Sequence, residues 1–371
     1  MTLELESRTA AGPGTYRFRT RDGLRSTEEF RAETLLALEG CWEADLGELL
    51  VVQANYGVLG VVLAARADDV TMTESSARAA DTCRENVREN GVNATVRTVA
   101  WEAALDGGFD TAVYVPKPYT ALDVGKQRLA GALERIDPGG TLFLAARETT
   151  GLNRYSDCLS ELGADPETVT AAGGAELVRA TRPEAFDPPT FVERRQHTAT
   201  VDGTALELVT EPGLFAVGGL DDGTRLLLES VDVADGERVL DLCCGCGPIG
   251  AYAALTAECE VTLTDDDARA TACAEATLSR NEVGGEVLTA DCLSGVRDRT
   301  FDLVLSNPPT HAGSGVLAIL FDGAADVLGR DGRFAFVHHR ELDLSEHFEA
   351  FDEVQEVATG PEHVIRVARP R

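Results

Sequence analysis

The stretch "GERVLDLCCGCGPIGAYAA" (residues 236–254) decides the fold of this chain. Its apolar run "VLDL" predicts a buried strand, Gly245 and Gly247 predict a tight turn, and the small residues from Pro248 onward predict a helix. Glycines let a backbone approach a ligand closely, and a helix start offers free N–H groups. The stretch therefore predicts a ligand-binding loop at a strand end, a loop that could equally serve a dinucleotide.

Strands and helices alternate outward from this loop through the C-terminal half of the chain. This alternation predicts an α/β fold with a doubly wound, mostly parallel sheet covered on both faces. The predicted strands are residues 236–245, 259–265, 285–291, 301–307 and 332–339, followed by strand-like runs at 353–358 and 363–369. The predicted helices are residues 248–257, 267–283 and 312–328.

The N-terminal half repeats the same plan. "GELLVVQANYGVLGVVLAA" (residues 47–65) aligns with the opening stretch, and "FDTAVYVPKP" (109–118) aligns with "FDLVLSNPPT" (301–310), at offsets of 190 and 192 residues. Two landmarks at nearly one offset indicate an internal duplication. The proline-rich segment "TRPEAFDPPT" (181–190) between the halves is the predicted linker.

Length and charge set broad limits on the class of protein. The 371 residues predict two domains. The chain carries 63 acidic against 33 basic residues, a net charge of −30. We interpret this excess of carboxylates as adaptation to a salt-rich cytoplasm, where charge repulsion is screened within a few ångströms. The same acidity argues against a large basic nucleic-acid footprint.

The nine cysteines and the absence of a long apolar run bear on compartment and metal binding. A long chain without a secretory signal is not expected to carry a disulfide framework. No run approaches the ~20 apolar residues that cross a bilayer, so we expect a cytoplasmic protein with no membrane contact. The cluster Cys243, Cys244 and Cys246 lacks a second ligand pair at zinc spacing, so no metal is expected.

Carboxylates follow the second and third strands of the C-terminal half. Asp265 directly follows an apolar alternation, one βα unit after the glycine loop, where a carboxylate can accept both hydroxyls of a ribose. Asp266 and Asp267 are alternatives that could cap the next helix instead. Asp291 ends the third strand and is a further candidate for cofactor binding.

The fourth strand ends in Asn307, Pro308 and Pro309, at the edge of the sheet where ligands bind in open α/β folds. A conjugated amino group is a poor nucleophile, because its lone pair must localise before it can attack. The side-chain oxygen of Asn307 and the carbonyl of Pro308 can each accept one N–H of such an amine. Prolines fix φ and remove competing donors, so both acceptors are held in place. We therefore predict that Asn307 and Pro308 are catalytic in an in-line displacement in which such an amine is the nucleophile.

These motifs resemble those of a known family. The loop is similar to the Asp-x-Gly-x-Gly-x-Gly loop of class I S-adenosylmethionine (SAM) methyltransferases, with Asp241, Gly245 and Gly247 matching and Cys243 in place of the first glycine. "EPGLFAVGGLDDGTRLLLESV" (211–231) and "SNPPTHAG" (306–313) resemble segments of RsmC-type ribosomal RNA guanine-N2 methyltransferases.

The resemblance implies two tandem Rossmann-like methyltransferase domains. Residues 190–371 would form the catalytic domain, which uses SAM to methylate guanine N2 in small-subunit ribosomal RNA. Residues 1–185 would form a degenerate domain that binds substrate or supports the fold. In this domain Val51, Asn55 and Val115 stand where the other half has Asp241, Gly245 and Asn307.

The resemblance also implies which residues bind the substrate. Pro309, Thr310 and His311 match the family positions next to the target base, but the family has Phe where this chain has Thr310. A phenylalanine can stack on a base and a threonine cannot. Either another ring replaces it, for which Phe215 is the candidate, or the target nucleotide differs.

Other functions use the same motif. Adenine N6 and a protein glutamine amide are alternative targets, since each presents an N–H group to an Asn-Pro-Pro turn. A non-catalytic protein that binds RNA or the ribosome is an alternative of another class. The presence of Asp241, Asp265 and Asn307 in one half favours the enzyme.

Overall fold

The computed structural model describes residues 1–7, 9 and 11–371. The chain divides into two compact units, unit 1 (Met1–Glu193) and unit 2 (Arg194–Arg371). The predicted linker, residues 181–190, lies in unit 1, so the division falls a few residues after its last proline.

Unit 1 contains a two-stranded sheet followed by a seven-stranded sheet, as far as its described residues go. Its strands are β1 (Thr2–Glu6), β2 (Thr15–Arg19), β3 (Glu48–Val52), β4 (Asp69–Glu74), β5 (Thr95–Thr98), β6 (Phe109–Tyr114), β7 (Ile136–Arg147), β8 (Glu167–Ala172) and β9 (Ala175–Thr181). Its helices are α1 (Ala32–Cys41), α2 (Val58–Leu63), α3 (Ala77–Glu89), α4 (Leu122–Arg135) and α5 (Leu152–Glu161).

Unit 2 repeats this arrangement. Its strands are β10 (Arg195–Val201), β11 (Thr204–Thr210), β12 (Arg238–Leu242), β13 (Glu260–Asp265), β14 (Glu286–Thr289), β15 (Phe301–Ser306), β16 (Leu328–His339), β17 (Phe351–Thr359) and β18 (His363–Pro370). Its helices are α6 (Asp222–Ser230), α7 (Pro248–Thr256), α8 (Ala268–Arg280) and α9 (Ser314–Val327).

The two large sheets have the same strand order. They run β5-β4-β3-β6-β7-β9-β8 in unit 1 and β14-β13-β12-β15-β16-β18-β17 in unit 2. Six strands of each sheet run in the same direction, and the seventh, β9 in unit 1 and β18 in unit 2, lies between two of them and runs antiparallel to both. The predicted class of two tandem, mostly parallel α/β sheets is confirmed, and the matching order supports a duplication.

Both faces of the unit 2 sheet are buried, as the continuous apolar runs predicted. Along β12, Val239 packs into one hydrophobic cluster, with Ile249 of α7 and Leu278 of α8. Leu240 and Leu242 point the other way and pack with Phe321 of α9. Because β12 is covered on both sides, a polar side chain in its interior stands out, and Asp241 is such a residue.

Two details differ from the sequence prediction. The hairpin β10–β11 was not predicted, because its strands carry exposed polar residues on alternate positions and no long apolar run. The fifth parallel strand, β16, begins at Leu328 rather than at residue 332. None of the helices within the described residues has the length and apolar character that spanning a membrane requires.

Gly247 is required by both backbone conformation and packing. Its φ is +78°, and a Cβ there would lie 2.9 Å from the Cβ of Ala274. Gly245 has a φ of +53° but open space around its Cβ position. We expect Gly247→Ala to cost about 2–4 kcal/mol in unfolding free energy, from the left-handed conformation plus overpacking.

Gly245→Ala is the matched control, because it adds the conformational cost of about 1–2 kcal/mol without a clash. Urea unfolding of both variants measures the difference. Equal losses in the two variants would contradict a packing role for Gly247.

Candidate functional site

The glycine loop of unit 2 connects β12 to α7 through a run of left-handed residues. Cys243, Gly245 and Gly247 all have positive φ, and α7 begins at Pro248, whose missing N–H costs nothing in the first turn. Within the loop, the N–H of Cys244 donates to the carbonyl of Thr264 and the N–H of Gly247 donates to the carbonyl of Cys244, so backbone hydrogen bonds fix its shape at the carboxyl edge of the sheet.

Asp241 lies beneath this loop and is fully buried. Its Oδ2 accepts the N–H of Gly250 at 2.8 Å. Its Oδ1 is buried and has no hydrogen-bond partner within the described part of the chain. Burial raises the pKa of Asp241 to about 7, although the bond from Gly250 lowers it. A buried carboxylate oxygen without a partner is costly, so it marks a place for a polar ligand group.

Asp265 is the last residue of β13 and contacts the glycine loop. Its Oδ2 accepts the N–H of Gly245 and its Oδ1 accepts the N–H of Asp267, both at 2.9 Å. Burial raises the pKa of Asp265 to about 7 against the effect of these two bonds. Asp267 accepts the N–H of Arg269 and caps α8, as the alternative assignment predicted.

Asp291 follows β14 at the same edge and is half-buried. Its carbonyl accepts the N–H of Ser294, which starts a turn. The loop and its hydrogen bonds link three of the five predicted cofactor residues, Asp241, Gly245 and Asp265. Gly247 is the last residue of that loop. Asp291 comes to the same edge through its strand alone.

Asn307 lies directly after β15, at the carboxyl edge. Its Nδ2 donates to the Oδ2 of Asp221 at 3.1 Å and to the Oγ1 of Thr224 at 2.9 Å. Pro308 is buried, and its carbonyl accepts the N–H of Thr310 at 2.9 Å. One lone pair of that carbonyl is therefore used by the turn.

One pocket joins the amide to the glycine loop. Its lining includes Asn307, Cys243, Gly245, Phe215 and Thr224. Phe215 is 60% exposed there, so the ring proposed for stacking lies in the same pocket as the amide. Four predicted site residues do not line this pocket: Pro308, Pro309, Thr310 and His311. They form the turn that follows Asn307, in which His311 is exposed.

The segment that carries Phe215 is bonded to helix α8. Arg269 of α8 donates from Nε to the Oε1 of Glu211 at 2.7 Å, and both side chains are almost fully buried. The same guanidinium donates to the carbonyl of Pro212. A buried, hydrogen-bonded ion pair holds this loop against the core, close to the pocket.

Asp221 and Thr224 were not predicted as site residues. They lie at the start of α6, where Asp221 caps the helix by accepting the N–H of Thr224 at 3.0 Å. The only signal in the sequence was their position in the segment 211–231. The contact with Asn307 spans more than 80 residues and becomes visible only in the fold.

The corresponding place in unit 1 is closed by an ion pair. Glu74 ends β4 as Asp265 ends β13, is fully buried, and accepts the N–H of Asn55. Lys117 donates to the other oxygen of Glu74 at 2.7 Å. A carboxylate therefore persists at the position that Asp265 has in unit 2, but a lysine of the same unit is paired with it.

Beside the cysteine cluster, the sequence offers two arginine-bearing stretches, residues 192–197 and 338–340, as possible phosphate contacts. All nine cysteines are free thiols, and no group of three or more possible metal ligands was found among the described residues. His338 was considered for phosphate contact, but it is buried and its Nε2 accepts from Arg366. Arg194 lies 3.8 Å from the buried carboxylate of Glu211.

Solved and curated proteins are similar to this chain. Ribosomal RNA small subunit methyltransferase C of Pseudomonas paraeruginosa is 33% identical over 216 residues, covering 58% of this chain and 61% of that protein. The Haemophilus influenzae protein of the same name is 40% identical over 189 residues, covering 50% and 56%. The aligned region thus spans less than two thirds of the length of these relatives.

The structure of T. thermophilus 16S rRNA N2 methyltransferase RsmC, in complex with AdoMet and guanosine, covers 100% of this chain and 98% of its own. The two have a TM-score of 0.79 at 23% identity and share the fold. The profile of the family described as "Methyltransferase small domain" matches residues 15–175 and again residues 205–366. Since one family profile matches both halves and most of the chain, this protein belongs to the methyltransferase small domain family.

Proposed function

We propose that this protein is an RsmC-type enzyme that transfers a methyl group from SAM to guanine N2 of small-subunit ribosomal RNA in the cytoplasm. The observation that carries the proposal is the shared pocket of unit 2, in which the amide of Asn307 lies beside Gly245 of the glycine loop. The names of the relatives support the nucleic-acid target.

The residues of unit 2 fit SAM. The unpartnered Oδ1 of Asp241 lies under the loop, where a cationic or N–H group of a ligand would satisfy it. Apart from its chain neighbours, no described residue has an atom within 4 Å of the Cβ position at Gly245, so a ligand can approach the backbone there. Each oxygen of Asp265 accepts one backbone N–H and keeps a lone pair for a ribose hydroxyl. Asp291 would accept from the adenine amino group.

When bound, SAM supplies an electrophilic methyl group on a sulfonium. The oxygen of Asn307 and the free lone pair of the Pro308 carbonyl each accept one N–H of the target amine. These two bonds draw the nitrogen out of conjugation and direct its lone pair towards the methyl carbon. The amine would gain the methyl group as the cofactor sulfur leaves, and it would lose one proton to water. Phe215 would stack on the target base.

Unit 1 is proposed to bind substrate or support the fold without binding SAM. The ion pair between Lys117 and Glu74 occupies the carboxylate that would hold a ribose, and Val115 stands in place of the catalytic amide. Calorimetry with SAM should therefore give one site per chain.

The proposal is tested by supplying the purified protein with isotopically labelled SAM and with 16S ribosomal RNA or small subunits, in buffers containing molar KCl. Nucleoside mass spectrometry is expected to show labelled N2-methylguanosine. Labelled N6-methyladenosine would show that the target is adenine N6, and label on protein glutamine would show that it is a glutamine amide. Failure to bind SAM at any salt concentration would overturn the enzyme assignment.

A further inference from the structure

The carboxamide of Asn307 is held by two acceptors from the start of α6. Asp221 Oδ2 and Thr224 Oγ1 receive its Nδ2 at 3.1 and 2.9 Å. Thr224 in turn directs its own hydroxyl to Asp221 at 3.4 Å. The amide has two N–H bonds to give, and both have an acceptor.

This arrangement selects one of the two orientations of the amide. A carboxylate only accepts hydrogen bonds, so rotating the amide by 180° would place its Oδ1 against the Oδ2 of Asp221, with lone pair facing lone pair. Asp221 therefore keeps the nitrogen inward and leaves the oxygen as the free end of the group. Thr224 is buried, so little water is present to compensate for a rotated amide.

The start of α6 is itself fixed by packing. A Cβ at Gly223 would lie 2.9 Å from Cδ2 of His363 and 3.1 Å from Oδ2 of Asp221, so the helix start packs tightly against β18. Asp221 is also held by the N–H of Thr224. The acceptor pair is thus part of a rigid element, which is what a pre-positioned catalytic group requires.

We propose that Asp221, together with Thr224, is a positioning residue that holds the Asn307 oxygen towards the substrate and thereby restricts the site to targets that donate N–H. A rotated amide would present its N–H groups to the substrate and would bind a keto oxygen rather than an amine. This role depends on the proposed methyl transfer to an amine. It makes the start of α6 the element that selects an amine as the target.

Unit 1 provides an internal comparison. Its helix α1 is preceded by Arg31, at the same cap position that Asp221 has before α6. Val115 has replaced the amide, and Arg31 donates to the carbonyl of Pro116 at 2.8 Å. Pro116 follows β6 as Pro308 follows β15. The unit that lacks the amide thus also lacks the carboxylate, and an arginine occupies the proline carbonyl.

Three variants separate positioning from folding. Asp221→Ser keeps a helix cap, because serine accepts the N–H of residue 224, but its short side chain does not reach Asn307. We expect its kcat to fall about 10–100-fold, with unchanged KM for SAM. Asp221→Asn can still accept from both groups and should recover most of the kcat. Thr224→Val removes one acceptor and should lower kcat about tenfold.

Three results would overturn the positioning role of Asp221. A wild-type kcat in Asp221→Ser would overturn the proposal, as would a kcat in Asp221→Asn as low as that of the serine variant. A rise in KM for SAM that matches the loss in kcat would also overturn it, because the damage would then lie in the cofactor site.

A readout without turnover keeps this test separate from the proposed function. In protein labelled with ¹⁵N-asparagine, the side-chain NH₂ protons of Asn307 should exchange slowly with water in the wild type and rapidly in Asp221→Ser. If the wild type methylates no RNA, the proposed function fails while this exchange still decides whether Asp221 holds the amide. Equal exchange in both proteins would overturn the positioning role.

Discussion

Asn307→Ala is expected to lower kcat for methyl transfer about 100–1000-fold while leaving the Kd for SAM within about threefold of the wild type. The substitution removes the acceptor that draws the target amine out of conjugation. Asn307 lines the same pocket as the glycine loop, and the hydrogen bonds of Asp265 and Asp241 to Gly245 and Gly250 do not involve it. Single-turnover assays and calorimetry measure the two quantities independently.

Asn307→Asp is a second variant, which tests the contact between residue 307 and Asp221. It keeps an oxygen at the position of Oδ1 but places a second carboxylate against Asp221, whose Oδ2 now receives the Asn307 Nδ2 at 3.1 Å. Repulsion should turn the side chain away, so this variant should be as slow as the alanine variant. Undiminished turnover in Asn307→Ala would remove the catalytic role of the residue.

Asp265→Asn is expected to weaken SAM binding about 30–300-fold, the second large effect. A ribose hydroxyl bound to a carboxylate forms a charge-assisted bond, roughly twice as strong as a neutral one. The asparagine would also turn an NH₂ towards the N–H of Gly245 or of Asp267, which both donate to the wild-type carboxylate. Glu275→Gln, on the exposed side of α8, is the charge-matched control and should bind SAM normally.

Binding of SAM should also depend on pH. Burial raises the pKa of Asp265 to about 7 in the free protein. Ribose hydroxyls stabilise the ionised form, so affinity should rise as pH increases through 7 and fall below it, by at most about tenfold per pH unit for one group. Asp241 has a pKa of about 7 as well, and it contributes to the same profile.

Asp265→Asn should therefore flatten the pH profile in part, and the remaining slope belongs to Asp241. Calorimetry between pH 6 and 8 measures both. An affinity that does not change with pH, or a variant that binds as tightly as the wild type, would contradict the assignment of Asp265 as the ribose acceptor.

The sequence predicted the parts of this protein that depend on local pattern. Alternating apolar runs and helical periods predicted the parallel strands, and the glycine loop predicted where the backbone turns. The near-constant offset between the halves predicted the duplication, which the identical strand orders support. Parallel strands present their carboxyl ends at one edge, so Asp265 and Asn307 were expected at that edge without knowledge of any contact.

Tertiary structure alone showed how the site is held together. Asp221 meets Asn307, Arg31 meets the carbonyl of Pro116, and Lys117 closes Glu74. Each contact joins elements that are distant along the chain, and no periodicity encodes which side chains of two such elements will meet. The sequence by itself determined which groups reach the edge of the sheet. The packing of α6 against the strand ends decided which way the amide of Asn307 faces, because a hydrogen-bond orientation depends on the partner that the fold brings to it.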